Sequence, residues 1–327
     1  MPDVSEYNFE SIIECALLAN GPDACAGELA ILKERQTPYG TLTPGGYVRR
    51  SAADYDEDLC LDPELVVSFV QATQPKEWAK LRKQYGARAR QKFLQRLSKE
   101  IEKRGTLDVL RNGIKDMGAR IKLVYFKPPT GLNPALQEKY RANTFSVIRQ
   151  FTYSAKDKDQ KRRKALDLGL FLNGLPLFTV ELKNPLTGQT YRNAIRQYET
   201  TRSDAQEPLF AFGRCLAHFA VDPDEVWFTT ELAGNETRFF PFNQGRGRGA
   251  GNPPAGPDKF ATAYLWEELW ARDTVLTLLE EFIHVIDVLD DKGRKTGEQR
   301  LIFPRYHQLD AVRRLTAHAR DHGPDER

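Results

Sequence analysis

The chain of 327 residues is 40% apolar and 28% charged, with a net charge of +3. It can bury a sizeable core as one large domain plus an extension, and its mild basicity permits nucleic-acid binding through local patches without demanding it. No run of 18 apolar residues exists, the opening MPDVSEYNFE lacks an apolar signal region, and Cys15, Cys25, Cys60 and Cys215 show no CxxC spacing. A reduced, cytoplasmic, soluble protein without a membrane segment is expected.

Phe9 to Ala19 predicts a helix capped by Asn8, with Phe9, Ile12, Ile13, Ala16 and Leu17 along one stripe. Gly21 to Gly46 is broken by Gly and Pro and reads as loop-rich. Asp62-Pro63-Glu64 opens the next helix, with Asp as cap, Pro in the first turn and a stripe of Leu65, Val66, Phe69 and Val70. Lys76 to Arg104 reads as one long basic helix. ARIKLVYF (Ala119–Phe126) predicts a strand that ends at Pro128-Pro129. A second strand over Asn143–Tyr153 alternates Phe145, Val147, Arg149, Phe151 and Tyr153.

Two apolar runs then flank Asn173-Gly174 as a β-hairpin. Tyr191–Arg202 is a helix, and Val226–Thr230 and Thr237–Phe242 are late strands. Gly245 to Pro257 (GRGRGAGNPPAGP) reads as a flexible linker; it has two arginines and no aromatics, unlike an arginine-glycine RNA segment. Lys259–Leu289 reads as helical, with Leu265, Leu269, Leu276, Leu279, Phe282, Ile283 and Ile286 spaced along it. Strands with flanking helices indicate an α/β fold: a mixed central sheet flanked by helices, with a helical C-terminal extension.

The stretch ALDLGLFLNGLPLFTVELK (Ala165–Lys183) carries the chemistry. Asp167 lies at the start of one apolar run, and Glu181-Leu182-Lys183 closes the next. Two carboxylates can hold a hard cation such as Mg²⁺ through oxygen, and a lysine beside them can neutralise the charge that develops on a phosphate or place the attacking water. On a strand, residues i and i+2 share a face, so Glu181 and Lys183 point together while Val180 and Leu182 point to the core. Parity sets a condition. A two-residue turn pairs Leu172 with Leu175, and regular pairing then places Asp167 opposite Val180, on the face away from Glu181. A shared site therefore requires an odd loop or a β-bulge.

At these residues the chain resembles the N-terminal part of the endonuclease (R) subunit of type I restriction enzymes. The resemblance rests on LDLGLFLNGLPLFTVELKN (166–184), NAIRQYETTR (193–202), FGRCLAHFAVDPDEVWFTT (212–230), FNQGRGRGAGNPPA (242–255) and IFPRYHQLDAVRRL (302–315), and runs from about Phe9 to the end. It implies a restriction-endonuclease-like PD-(D/E)xK core that cleaves double-stranded DNA with Mg²⁺, or Mn²⁺ in its place. Asp167 and Glu181 match the metal-binding acids and Lys183 the catalytic lysine. The backbone carbonyl of Leu182 completes the metal's protein ligands, and Glu10 matches an acid on the first helix. Gln197 matches the glutamine of a QxxxY motif; the tyrosine position is Thr201, with Tyr198 next to the glutamine instead.

The last segment resembles the glutamine motif of a superfamily 2 motor, with Gln308 reading adenine. No GxGK[ST] loop follows before Arg327, so ATP is expected to act only with a motor domain not contained in this chain. The implied division is a nuclease domain over 1–244 (core about 105–244), a linker over 245–257, a helical bridge over 258–300 and the start of a motor over 301–327. Expected partners are DNA and the methyltransferase and specificity subunits of a type I complex. A rival reading makes the chain a docking module onto the methyltransferase core, silent without the motor.

Further DNA contacts are expected from the basic run before Asp167, including Lys161, Arg162 and Arg163, and from Arg192 and Arg196 one turn apart on the helix after the hairpin. Gln197 and Thr201 share a second helical face, and Tyr198 is weighed between base stacking and core packing. His318 and His322 have helical metal spacing in a polar tail, which speaks against a metal site; His218 in CLAHFAV reads as a core histidine.

Overall fold

The computed structural model describes residues 6–24, 35–37, 40–130, 132–154, 164–202, 207–256 and 259–323. Helix α1 (Glu6–Leu18) precedes a short hairpin of β1 (Arg35–Thr37) and β2 (Gly40–Leu42), and then strand β3 (Val48–Arg50). Helices α2 (Pro63–Thr73), α3 (Pro75–Tyr85) and α4 (Ala89–Asn112) follow, then a hairpin of β4 (Ile114–Asp116) and β5 (Ala119–Ile121), and helix α5 (Pro134–Arg141). Next come β6 (Phe145–Thr152), β7 (Ala165–Leu172), β8 (Leu175–Leu182), α6 (Tyr191–Thr200), β9 (Ala217–Val221), β10 (Val226–Thr229) and β11 (Phe240–Pro241). The C-terminal part holds α7 (Arg272–Thr277), a hairpin of β12 (His284–Leu289) and β13 (Lys295–Ile302), and α8 (Tyr306–His322).

Seven strands form one mixed sheet in the order β11-β10-β9-β8-β7-β6-β3. β6, β7 and β8 are an antiparallel meander, while β8 and β9 run parallel across a connection that carries α6. The expected α/β architecture is therefore present. Among the described residues no helix is long and apolar enough to cross a membrane.

One face of the sheet buries Val147, Leu168, Leu170, Val180 and Leu182 in a core shared with Phe9 and Ile13 of α1 and with Val66 and Val70 of α2. The other buries Phe151, Leu166 and Phe171 with Tyr198 of α6. β8 is buried at all eight positions, as a central strand with both faces covered must be. The hairpin tip is fixed from outside. Asn173 is wholly buried, donates to Leu123 O at 2.8 Å, and accepts from the Thr144 amide at 2.7 Å. Gly174 has φ +83°, and a Cβ there would lie 2.5 Å from Asp62 O, so the turn seats directly on the start of α2. Asp62 caps α2 as predicted, its Oδ1 accepting from the Glu64 and Leu65 amides, while its Oδ2 takes Arg50 Nε at 2.7 Å.

Several elements differ from their sequence reading. Asn8 lies inside α1, which starts earlier. The long basic helix breaks into α3 and α4 at Gly86, whose φ of +59° ends the first helix. The strand from Ala119 stops at Ile121 because the side chain of Gln74 takes both the amide and the carbonyl of Lys122. The segment read as a flexible linker is tied down by Asn252, which is buried, donates to Asp224 O and accepts from the Gln244 amide. The helical bridge ends at Phe282, and Ile286 belongs to the β12–β13 hairpin. Val285, Ile286 and Val288 are β-branched, and Gly293 at φ +74° lies in the turn.

Candidate functional site

The hairpin meets its parity condition through a bulge. Asn173 and Gly174 make a two-residue turn with φ of 49° and 83°, and Leu172 pairs with Leu175. Phe171 pairs with Pro176 but Leu170 with Phe178, so Leu177 is the extra residue. Beyond it Leu168 pairs with Val180, and the continued register sets Asp167 opposite Glu181. The Leu182 amide donates to Asp167 Oδ2 at 2.6 Å, which fixes that carboxylate against β8. Without the one-residue bulge the two acids would face opposite sides of the sheet.

β6 adds a second irregularity. Gln150 has φ +46°, a left-handed conformation that a glutamine adopts only under constraint. The turn-over changes the alternation of the strand. Phe145 and Val147 pack with the α1 face, whereas Phe151 and Tyr153 pack on the α6 face, so the predicted single stripe is split. Gln150 reaches Glu10 of α1, donating to its Oε1 and Oε2 at 3.2 Å each. Glu10 also binds Arg149 Nε at 3.1 Å, and Arg149 NH1 reaches Glu14 at 3.0 Å, which locks α1 onto β6.

α6 closes the other side. Its Tyr191 amide donates to Asp222 Oδ2, and Asp222 itself follows directly on β9. Helix and strand ends therefore share one anchor, and Gln197 is carried to the site. The resulting cleft of about 580 Å³ is lined by Glu10, Gln150, Asp167, Glu181, Leu182, Lys183, Gln189, Gln197 and Arg202. Glu181 and Lys183 are 1% and 4% exposed. Arg202 Nε donates to Glu181 Oε1 at 2.8 Å. Burial, with Asp167 across the strand, pushes the Glu181 carboxyl up to about 8 against the pull of Arg202 and Lys183. The Gln197 Oε1 is buried and accepts no hydrogen bond among the described residues.

The cleft thus gathers Glu10, Asp167, Glu181, Leu182, Lys183 and Gln197. Leu182 buries its side chain and presents its backbone there. Other candidates fall elsewhere. Tyr198 is wholly buried, with its hydroxyl 2.9 Å from Thr179 Oγ1, so it packs in the core and has no face for a base. Thr201 is exposed and its hydroxyl donates to Gln197 O. Arg192 and Arg196 are exposed on α6, and Arg192 Nε reaches Tyr191 Oη at 3.2 Å. Lys161, Arg162 and Arg163 lie outside the described residues. Gln308 sits in the first turn of α8, where its Oε1 accepts from the Arg305 amide.

His218 is buried on β9 with Nδ1 2.7 Å from Thr179 Oγ1, and burial lowers it to about 3. The rings of His318 and His322 stack 4.3 Å apart, and no group of three or more His, Cys, Asp or Glu that could hold a metal is gathered among the described residues. Sequence reasoning missed Gln150, Gln189 and Arg202. Arg202 lay inside the quoted NAIRQYETTR segment, but only tertiary structure brings it onto Glu181.

Residues 60–237 match the family described as type I restriction enzyme R protein N terminus. No curated protein matches the chain. The matched segment contains Asp167, Glu181, Lys183 and Gln197 and ends before Gln308. More than half of the chain is covered, and the chain belongs to the family of type I restriction enzyme R protein N-terminal regions.

Proposed function

We propose that this region is a Mg²⁺-dependent endodeoxyribonuclease that hydrolyses phosphodiester bonds of double-stranded DNA. The observation that carries the reading is the Leu177 bulge, which turns Asp167 to the side of Glu181 and Lys183. The donor set fits a hard divalent ion. It offers two carboxylates from neighbouring strands and a backbone carbonyl at Leu182, and it leaves room for the waters that Mg²⁺ retains. The buried Gln197 Oε1 adds an acceptor that lacks a donor. When bound, the ion polarises the phosphate and acidifies water.

The protein's own groups do the rest. Asp167, held by the Leu182 amide, and Glu181 anchor the ion from two strands of one rigid hairpin. Lys183 brings its ammonium to the charge that grows on the phosphate oxygens. Gln197 orients Lys183 or the DNA strand, and Arg192 and Arg196 on the exposed face of α6 meet backbone phosphates. The products carry 5′-phosphates. The methyltransferase and specificity subunits supply the recognition site, a motor domain supplies ATP hydrolysis, and the complex works in the cytoplasm. A docking role that stays silent without the motor is favoured by one observation: Glu181 already has an internal cation on it, Arg202.

Plasmid nicking with Mn²⁺ tests the assignment. Lys183→Ala should bind Mn²⁺ like the wild type and cleave at least about 100-fold more slowly, the size of effect expected from one charge-stabilising group. Wild-type cleavage by that variant would remove Lys183 from the chemistry.

A further inference from the structure

Arg202 is the cleft residue whose placement the nuclease reading leaves unexplained. It stands just past the end of α6, where its amide, like that of Thr201, donates to Gln197 O at 3.0 Å. Its guanidinium reaches the sheet at the ends of β7 and β8. Nε donates to Glu181 Oε1 at 2.8 Å, NH2 to Ala165 O at 2.6 Å and NH1 to Tyr153 Oη at 3.3 Å. The side chain is 11% exposed and that of Glu181 is 1% exposed. A guanidinium with three anchors at this depth is a built feature, because a long cation is left in water unless a partner offsets its desolvation.

The position matters as much as the burial. The oxygen that Arg202 occupies belongs to one of the two carboxylates proposed to hold the metal, and Asp167 lies directly across the strand from it. Two carboxylates on one buried face repel each other unless a positive charge lies between or beside them. Arg202 supplies one such charge from within the chain. A divalent ion brought to the same pair would meet a fixed positive charge beside one of its ligands, and the two cations repel in a setting where solvent screens little.

Resting on the nuclease reading above, we propose that Arg202 is a tethered counter-cation that competes with the divalent metal for Glu181, holding the two acids together when the metal is absent and setting how tightly the metal binds. It is a positioning residue: it acts on the metal site through Glu181. Loss of the guanidinium removes the cation hydrogen-bonded to Glu181, leaves Lys183 as the remaining cation of the pair, and makes the site a stronger ligand for an external one.

Calorimetric titration of Mn²⁺ alone into the whole chain reads this directly, with wild type, Asp167→Ala, Arg202→Gln and Arg202→Lys measured at one salt concentration and one pH above 8, where a proton competes least for Glu181. Arg202→Gln retains hydrogen-bonding capacity and loses the charge; it should bind Mn²⁺ at least about tenfold tighter than wild type and show a larger Mn²⁺-induced rise in Tm. Arg202→Lys retains the charge and should stay close to wild type. Equal or weaker Mn²⁺ binding by Arg202→Gln would overturn the proposal and make Arg202 a residue that orients Glu181 for the metal. Were Arg202→Gln not to fold, Arg202→Lys carries the test, since loss of Mn²⁺ binding in a variant that keeps the charge contradicts competition by charge. The two readings separate cleanly. Binding that depends on Asp167 but does not tighten in Arg202→Gln removes the Arg202 inference alone, whereas binding that ignores Asp167 removes the nuclease site and the inference with it.

Discussion

Two hairpins of this protein carry a cross-element ion pair of nearly the same length and use it differently. In β12–β13, Lys295 Nζ lies 2.6 Å from Asp287 Oδ2, with the side chains 73% and 34% exposed. At β7–β8, Arg202 Nε lies 2.8 Å from Glu181 Oε1, with exposures of 11% and 1%. The first pair sits in water, where each charge is solvated with or without its partner. The second has exchanged water for its partner, so each member depends on the other. The distances differ by only 0.2 Å, and burial decides which pair has consequences. A charge at the end of an apolar run is also the feature that draws attention to Asp167, Glu181 and Lys183 in the sequence.

The largest test of that contrast is removal of one member from each pair in metal-free protein. Above pH 8, Arg202→Ala should cost about 3–5 kcal/mol, because it leaves the buried Glu181 without its hydrogen-bonded cation. Asp287→Ala in the exposed hairpin should leave Tm unchanged. Equal effects in urea unfolding would break the comparison.

Next in size is the turn that holds the buried hairpin. Gly174→Ala forces a side chain into a left-handed φ and onto Asp62 O and Val66. It should destabilise by about 2–3 kcal/mol and loosen the hairpin's seat on α2. Gly293→Ala, with nothing within 4 Å of its Cβ, meets only the backbone strain and should cost less. Asp62→Ala removes two cap bonds to α2 and leaves Arg50 without its 2.7 Å partner, and is expected to cost about 1–2 kcal/mol.

Acidity gives a smaller and more selective probe. Glu181 is raised from 4.5 to about 8, so between those values the folded protein holds a proton that the unfolded chain has released. Its contribution is fully present below 4.5 and is lost as pH rises toward 8. His218 is lowered from 6.5 to about 3, and its contribution is lost as pH falls through that window. The slopes oppose each other between 4.5 and 6.5, which leaves 6.5 to 8 to Glu181. Metal-free protein should lose stability across pH 6.5–8, and Glu181→Gln should flatten that slope. An unchanged slope in the variant would show that Glu181 is ionised throughout. By the same sign, Mn²⁺ should bind more weakly as pH drops below about 8, because a proton then competes for the carboxylate.

The geometry of the candidate site was legible where its signal is local. Asp167, Glu181 and Lys183 could be read because two apolar strands frame them and because i, i+2 parity fixes their faces. A shared face for Asp167 and Glu181 required, by parity, an irregularity of the kind the structure has at Leu177. Asp62 was legible as a cap for the same reason: cap, proline and stripe are neighbours in sequence. Arg202 and Gln150 were not legible. One acts from beyond a helix end through a contact 21 residues back along the chain, and the other acts through a single backbone torsion that a glutamine does not announce. The C-terminal strands were misread because Leu276, Leu279, Ile283 and Ile286 happen to follow helical spacing through a β-branched run. Tertiary pairing of β12 with β13 overrides that pattern.

The most direct test of the central claim is a calorimetric titration of Mn²⁺ into this chain and into its Asp167→Ala variant. The arrangement of Asp167 opposite Glu181 predicts saturable binding by the wild type that disappears in the variant. Equal binding by both, or none by either, would contradict a metal site at this hairpin and leave the docking role as the better account.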